Sequence, residues 1–271
     1  MHLLRLLGDG WLHGSAARTR TGPRLRRVDV ATRAVLAALG AALLAVAGYL
    51  GEVPLVGVAI VLTLTFAVGW PLLLTLPNPL GSGTVIALSG VGTVLAAYAT
   101  RGQPLLRDVP IVLALAVLFA FVNELARQDG RFRLVESVTG TVTGVLVVTA
   151  AAGWVAAGRS PGGTSLVISG AVTLAVAAGV SAVPLRGWTG ASVTTVAGVL
   201  AGVAVGGAMP VVGLPAGAAL GLATGLLVAA LHALMEDVPA LARRWPALAA
   251  VVLPVLVSGI LVYVVGRVVV G

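Results

Sequence analysis

Six ionisable residues, Glu124, Arg127, Asp129, Arg131, Arg133 and Glu136, stand within thirteen positions between two long apolar runs, in a chain that is only 10% charged. Glu124, Arg127 and Arg131 are spaced i, i+3 and i+7, so a helix continued through them would carry all three on one face; Arg133 and Glu136 make a second i, i+3 pair. Guanidinium forks so placed suit a phosphate or a lipid head group, with Asp129 or Glu124 available to hold a metal or accept a proton. The opposing reading is a positive-inside loop whose carboxylates pair with its own arginines. Gly130 is the natural break between the flanking helices.

A second set is His232 and Glu236, spaced i, i+4, with Asp237 following. An imidazole and a carboxylate at that spacing can supply two metal ligands, but a third ligand of known position is missing. The alternative is a His232 that snorkels or caps its helix.

The elements that must position these groups are apolar runs of about 17–25 residues, the length a helix needs to cross a bilayer. Mean hydropathy is +1.09 and 59% of residues are hydrophobic, far beyond the needs of a water-soluble core of this size. Segments of alternating polarity, the mark of an outer-membrane barrel, are missing. The expected class is therefore all-α, a polytopic transmembrane helical bundle. Nine spans are read at 34–50, 54–76, 83–100, 109–126, 135–157, 164–183, 189–210, 214–235 and 246–269, with eight as the alternative. Links such as Gly51-Glu52-Val53 and Pro77-Asn78-Pro79 make consecutive helices antiparallel neighbours and leave no room for a soluble domain between them. Residues 1–30 form an Arg-rich arm and 31–271 one membrane domain. The 36 glycines let helix backbones approach closely where lipid removes any hydrophobic drive; Gly140 and Gly144 make such a small face on the fifth span. A short echo, SVTGTVTGVL at 137–146 and SVTTVAGVL at 192–200, would fit a parallel repeat of helix hairpins or a chance match in so biased a composition.

Charge placement sets the expected orientation. With the N-terminus inside, the cytoplasmic face takes 13 of the 17 arginines (Arg5 to Arg33, Arg127, Arg131, Arg133, Arg186, Arg243 and Arg244) and the outer face takes Arg101, Arg107, Arg159 and Arg267. The protein is thus expected in the cell (inner or plasma) membrane with a cytoplasmic N-terminus. Its arm would lie on anionic lipids, which explains the net charge of +8 more simply than nucleic acid does. The arm is no cleavable signal peptide, because its arginines follow rather than precede the short apolar start.

Lysine and cysteine are both absent, so structural disulfides, thiolate catalysis and thiolate metal sites are excluded. The Ala/Val/Gly/Arg-rich usage and the texture of 124–144 resemble uncharacterised multi-pass membrane proteins of high-GC actinobacteria, a resemblance that carries no functional residues. The CDP-alcohol phosphotransferase pattern fails, since Ala126 stands where its first Asp belongs. Walker, nucleophile-elbow and zinc-helix motifs are missing too, and no motif names a cofactor. The span centres carry no Asp, Glu, Lys or Arg, which disfavours a proton relay through a mid-membrane carboxylate.

Three functions fit. The leading one is a permease-like or flippase-like protein moving a small solute or amphiphile. The second is a membrane-embedded enzyme acting on a phosphorylated lipid through Arg127, Arg131 and Arg133. The third is a non-catalytic subunit of a membrane complex; homo- and hetero-oligomers both stay open. The arginine distribution gives the first test: a reporter fused after Gly130 should read as cytoplasmic, and one after Arg159 or at Gly271 as external. An N-terminus and Gly271 on the same side would replace nine spans by eight.

Overall fold

The computed structural model describes residues 30–127, 132–185, 187–236 and 238–270. The Arg-rich arm, Asp129, Arg131, Arg186 and Asp237 lie outside them. The described residues form helices α1 (Val30–Leu50), α2 (Glu52–Leu73), α3 (Pro79–Ala99), α4 (Val109–Leu125), α5 (Leu134–Ala150), α6 (Ala152–Gly158), α7 (Gly163–Val180), α8 (Gly187–Ala208), α9 (Gly213–Met235) and α10 (Arg244–Val265). A single 3-10 turn, Pro239–Ala242, precedes α10, and five π-helical residues, Gly266–Val270, follow it. No strand occurs among the described residues. Helices are what a chain this apolar must form in lipid, because each one satisfies its backbone groups internally.

Local sequence sets the ends. Asn78 accepts the Gly81 N–H at 3.1 Å and Pro79 occupies the first turn, so α3 starts four residues before the apolar run from which the sequence places it. Gly51 adopts φ 129°, a conformation that side chains strongly disfavour, and turns the chain between α1 and α2 within one residue. α5 and α6 form one membrane span, Leu134–Gly158, interrupted at Ala151 by short-range bonds from Ala151 N to Val148 O and from Trp154 N to Ala151 O. Beside that break, Gly153 meets Gly259 of α10 so closely that a Cβ would stand 2.4 Å from the Gly259 carbonyl. Trp154, 1% exposed, donates its indole N–H to Val255 O at 2.7 Å.

Eight helical spans are long and apolar enough to cross a membrane; α4, at 17 residues, is the shorter ninth apolar helix. It nevertheless runs antiparallel to α3 along that helix's whole length. Thr100, past the end of α3, bonds Asp108 before α4 at 2.8 Å, while Asn78, before α3, reaches Asn123 at the far end of α4 at 3.4 Å. Seventeen residues rise about 25 Å, most of a hydrocarbon core. Among the described residues the bundle thus has eight helices long enough to cross a membrane and, in α4, one shorter apolar helix packed antiparallel to α3. One end of the bundle gathers Arg33, Thr75, Asn78, Arg127, Arg133, Ser181, Glu236 and Arg243, and the other gathers Glu52, Thr100, Asp108 and Arg159.

α10 and α5–α6 form the centre, with α2, α3 and α7 around them; α1 packs on α7, and α8 and α9 make a hairpin at the edge that leans on α7. The two echoed segments both begin helices at the Arg-rich end, but α5 is central and α8 peripheral. Gly140 and Gly144 pack as their spacing predicts: Trp70 donates to Gly140 O at 2.9 Å, and Ile86 and Trp70 cover Gly144. The closest packing is in the α8–α9 hairpin, where Gly198, Gly202 and Gly206 face Gly225, Gly221, Gly217 and Gly213 with no side chains between the backbones. A Cβ on Gly202 would stand 2.1 Å from Gly217 O, and one on Gly221 2.1 Å from Gly198 O. Gly202→Val should accordingly destabilise the protein by about 1–3 kcal/mol through overpacking, read as a lowered thermal midpoint in detergent. Gly57→Ala, where nothing lies within 4 Å of the added carbon, should leave the midpoint unchanged or slightly raised.

Candidate functional site

The structure separates the charge cluster into two pairs of different character. α4 ends at Leu125, so the face that Glu124, Arg127 and Arg131 would share is not continued as helix. Arg127 instead folds back and forms an ion pair with Glu124, with side chains only 5% and 2% exposed. The second carboxylate oxygen accepts the Ser137 hydroxyl of α5 at 2.5 Å. Below it, Thr141 Oγ1 donates to Ser137 O at 2.8 Å and sits 2.9 Å from Ser82 Oγ of α3. Arg127 also donates to Phe132 O at 3.2 Å, across the loop. This chain of polar contacts clasps α3, α4 and α5 at their Arg-rich end.

The other pair is open. Arg133, in the left-handed region at φ 54°, stands at the N-cap of α5, donates to Glu136 at 2.5 Å and reaches across to Thr75 O at 3.1 Å. Its partner Glu136 is 60% exposed. Both i, i+3 ion pairs are thus present, and every described carboxylate of the stretch meets an arginine. The forks of Arg127 and Arg133 are occupied by protein acceptors, so a phosphate would have to displace them. Beside the clasp, Asn123 Nδ2 is buried without a hydrogen-bond partner, and Asn123 and Asn78 crowd against Gly81, where a Cβ would fall 2.1 Å from the Asn123 oxygen.

The opposite end is fastened by Arg159, counted in the sequence only as an outer-face charge. Its guanidinium donates to Ala97 O at 2.7 Å and Thr100 O at 2.9 Å, carbonyls that the end of α3 leaves free, and lies 3.6 Å from Glu52. From one clasp to the other, Ser82, Ser89 and Thr93 lie along the inner face of α3 at spacings of seven and four residues, and Thr100 follows just past its end, all buried. Ser89, Thr93 and Thr100 bond carbonyls of their own helix.

A cavity of ligand size lies elsewhere. Between the ends of α7, α8 and α9 at the Arg-rich rim is a cavity of about 450 Å³, walled mainly by Val180, Val193, Leu226, Ala229 and Ala230, with Ser181, Thr194, Thr195, His232 and Glu236 among its polar members. It opens where the glycine ladder stops. Beyond Gly225 and Thr195, Leu226, Ala229, Ala230 and Ala233 of α9 and Gly190, Ala191, Val193 and Thr194 of α8 line its wall. A second, smaller cavity of about 70 Å³ lies between α1, α7, α9 and α10, and shares Ser181, His232 and Glu236 with the first. Arg33 lines it, and its Nε is buried without a hydrogen-bond partner.

His232 and Glu236 are therefore together, as their spacing predicts, but as the seam between two cavities. No group of three or more His, Asp or Glu that could hold a metal forms among the described residues. Sequence reasoning missed Arg33 and Ser181. The available signal was an arginine directly before the first apolar run, apart from Arg24, Arg26 and Arg27 of the arm; a lone Ser181 at a helix end gave none.

No family model, curated protein or solved structure matches the chain.

The buried clasp predicts strongly non-additive energetics. Glu124→Gln or Arg127→Gln alone strands a buried charge and should cost about 3–5 kcal/mol in a thermal or denaturant unfolding measurement, while the double variant should cost less than either alone. Arg133→Ala, breaking the exposed pair, should cost no more than about 1 kcal/mol.

Proposed function

We propose that this multi-pass membrane protein is permease-like or flippase-like and moves an amphiphile or small solute across the bilayer. The observation that carries the reading is the cavity between α7, α8 and α9, which is of ligand size, largely apolar, and furnished with a few convergent polar groups at one end. Its position at the open end of a hairpin that contacts the rest of the bundle chiefly through α7 supports a second arrangement, in which the hairpin shifts and the cavity faces the other side. The glycine ladder makes α8 and α9 a stiff unit for such a shift. By the arginine count, the cavity end and the N-terminus face the cytoplasm, and the arm rests on anionic lipid of the cell membrane.

The enzyme reading drew on Arg127, Arg131 and Arg133. The engagement of Arg127 and Arg133 with Glu124, Phe132, Thr75 and Glu136 favours a fastening role for that stretch over phosphate chemistry.

The purified chain alone, reconstituted in vesicles, should transfer a fluorescent amphiphile between leaflets, or admit a small solute, faster than protein-free vesicles do. Ala230→Trp, which places bulk in the cavity mouth, should slow that transfer by about tenfold or more, a barrier change of about 1.4 kcal/mol. Rates equal to those of empty vesicles across a panel of solutes and amphiphiles would sink the proposal and favour the subunit reading.

A further inference from the structure

We infer that the paired cavities form one bipartite site for an anionic amphiphile, with its tail in the large apolar compartment and its oxyanion head in the small compartment on Arg33. The inference deepens the translocation reading by naming the class of ligand, and it rests on the same cavity.

Two compartments of different size and polarity meet at a common seam. The large one, about 450 Å³, falls within the range of ligand sites and is walled by Val, Leu and Ala side chains. Space of about 70 Å³ in the small one is several times what a single water requires, enough for a compact head group. Ser181, His232 and Glu236 line both, so a molecule lying across the seam passes from an apolar surround to a polar one within its own length.

The approach is from lipid. Val193, Leu226 and Trp188, which line the large compartment, are 43%, 53% and 89% exposed on the outer face of a bundle that this reading places in lipid. A compartment with such a mouth is filled from the bilayer, and the occupant is a molecule already dissolved there. Trp188, at the start of α8, stands at the level where head groups meet hydrocarbon.

The charge of the head follows from Arg33. Its guanidinium stays protonated, offers donors in a fixed fork, and keeps Nε buried without a hydrogen-bond partner. A buried donor without an acceptor is destabilising, and a carboxylate or phosphate supplies both the acceptor and the counter-charge. His232 adds a second donor at the seam. Glu236, the described carboxylate facing both compartments, has an interaction partner of its own. A neutral amphiphile would fill the large compartment and leave Arg33 as it is; a soluble anion would satisfy Arg33 and leave the large compartment empty. An anionic amphiphile does both.

Equilibrium binding tests the inference separately from movement. Titrating the purified full chain in an uncharged detergent with oleyl phosphate, oleate, oleyl alcohol and inorganic phosphate compares one tail with and without a charged head, and a head without a tail. The two anionic amphiphiles should bind at least about tenfold tighter than the alcohol, the scale of one charge-assisted hydrogen bond, and inorganic phosphate should neither bind at matching concentration nor displace them. Arg33→Gln should bring the anionic amphiphiles to the level of the alcohol without changing the alcohol itself, whereas Ala230→Trp should weaken all three. Should Arg33→Gln fail to fold, Arg33→Lys keeps the charge without the fork and should lose part of the preference. Equal binding of alcohol and phosphate ester, an anionic preference untouched by Arg33→Gln or Arg33→Lys, or displacement by inorganic phosphate would each overturn the inference. Anionic binding without flux would sink only the translocation reading; flux with a preference for neutral amphiphiles would sink only this one.

Discussion

The constraint on which the structure depends is that lipid offers helices neither hydrogen bonds nor a hydrophobic reason to associate. Contact has to come from shape. Where backbones approach most closely, along α8 and α9, the residues are glycines four apart, with Gly198 against Gly221 O, Gly202 against Gly217 O and Gly206 against Gly213 O. Around the central span the same need is met by single glycines: Gly144 beneath Ile86 and Trp70, Gly90 beneath Thr63 and Val148, Gly153 against Gly259. Larger side chains such as Trp154 and Phe66 then fill the remaining volume and are almost wholly buried.

Polar side chains act as fasteners at the two ends of this packing. At one end the Glu124–Arg127 pair, extended through Ser137, Thr141 and Ser82, holds three helices; at the other, Arg159 holds the carbonyl end of α3 and faces Glu52. A carboxylate 2% exposed is tolerated at the rim because both of its oxygens are occupied, one by a guanidinium and one by a hydroxyl. The same logic distinguishes Arg33. It is only half-buried, yet its Nε is enclosed and has no acceptor, and it borders open volume where Arg127 is engaged by Glu124 and Phe132.

The cavity follows from where tight packing ends. Glycines hold α8 and α9 together from Gly206 and Gly213 as far as Thr195 and Gly225; beyond, leucine and alanine side chains keep the helices apart. A hairpin so built is close-packed along one part and bordered by a cavity along the other, and the cavity lies at the rim that carries most of the described arginines. Open volume, lipid-facing mouth and unmatched cation therefore coincide at one place for a geometric reason.

Much of this was determined by the sequence alone. Apolar length fixed the class and the nine apolar helices, eight of them long enough to span, short links fixed the antiparallel order, and charge spacing fixed the pairs Glu124–Arg127 and Arg133–Glu136, because all three depend on neighbours near in the chain. The glycines of the fifth span announced close packing, though not that Trp70 would donate to Gly140 O. Only the tertiary structure decided which charges are buried. Glu124 and Glu136 look alike in sequence, and they differ because α5 and α3 bring Ser137 and Ser82 beneath one and leave the other facing outward. Likewise, Arg33, Ser181 and His232 come from three helices far apart in the chain. No local pattern could join them, since their meeting depends on how α1, α7 and α9 cross, and that is set by packing along the whole length of each helix.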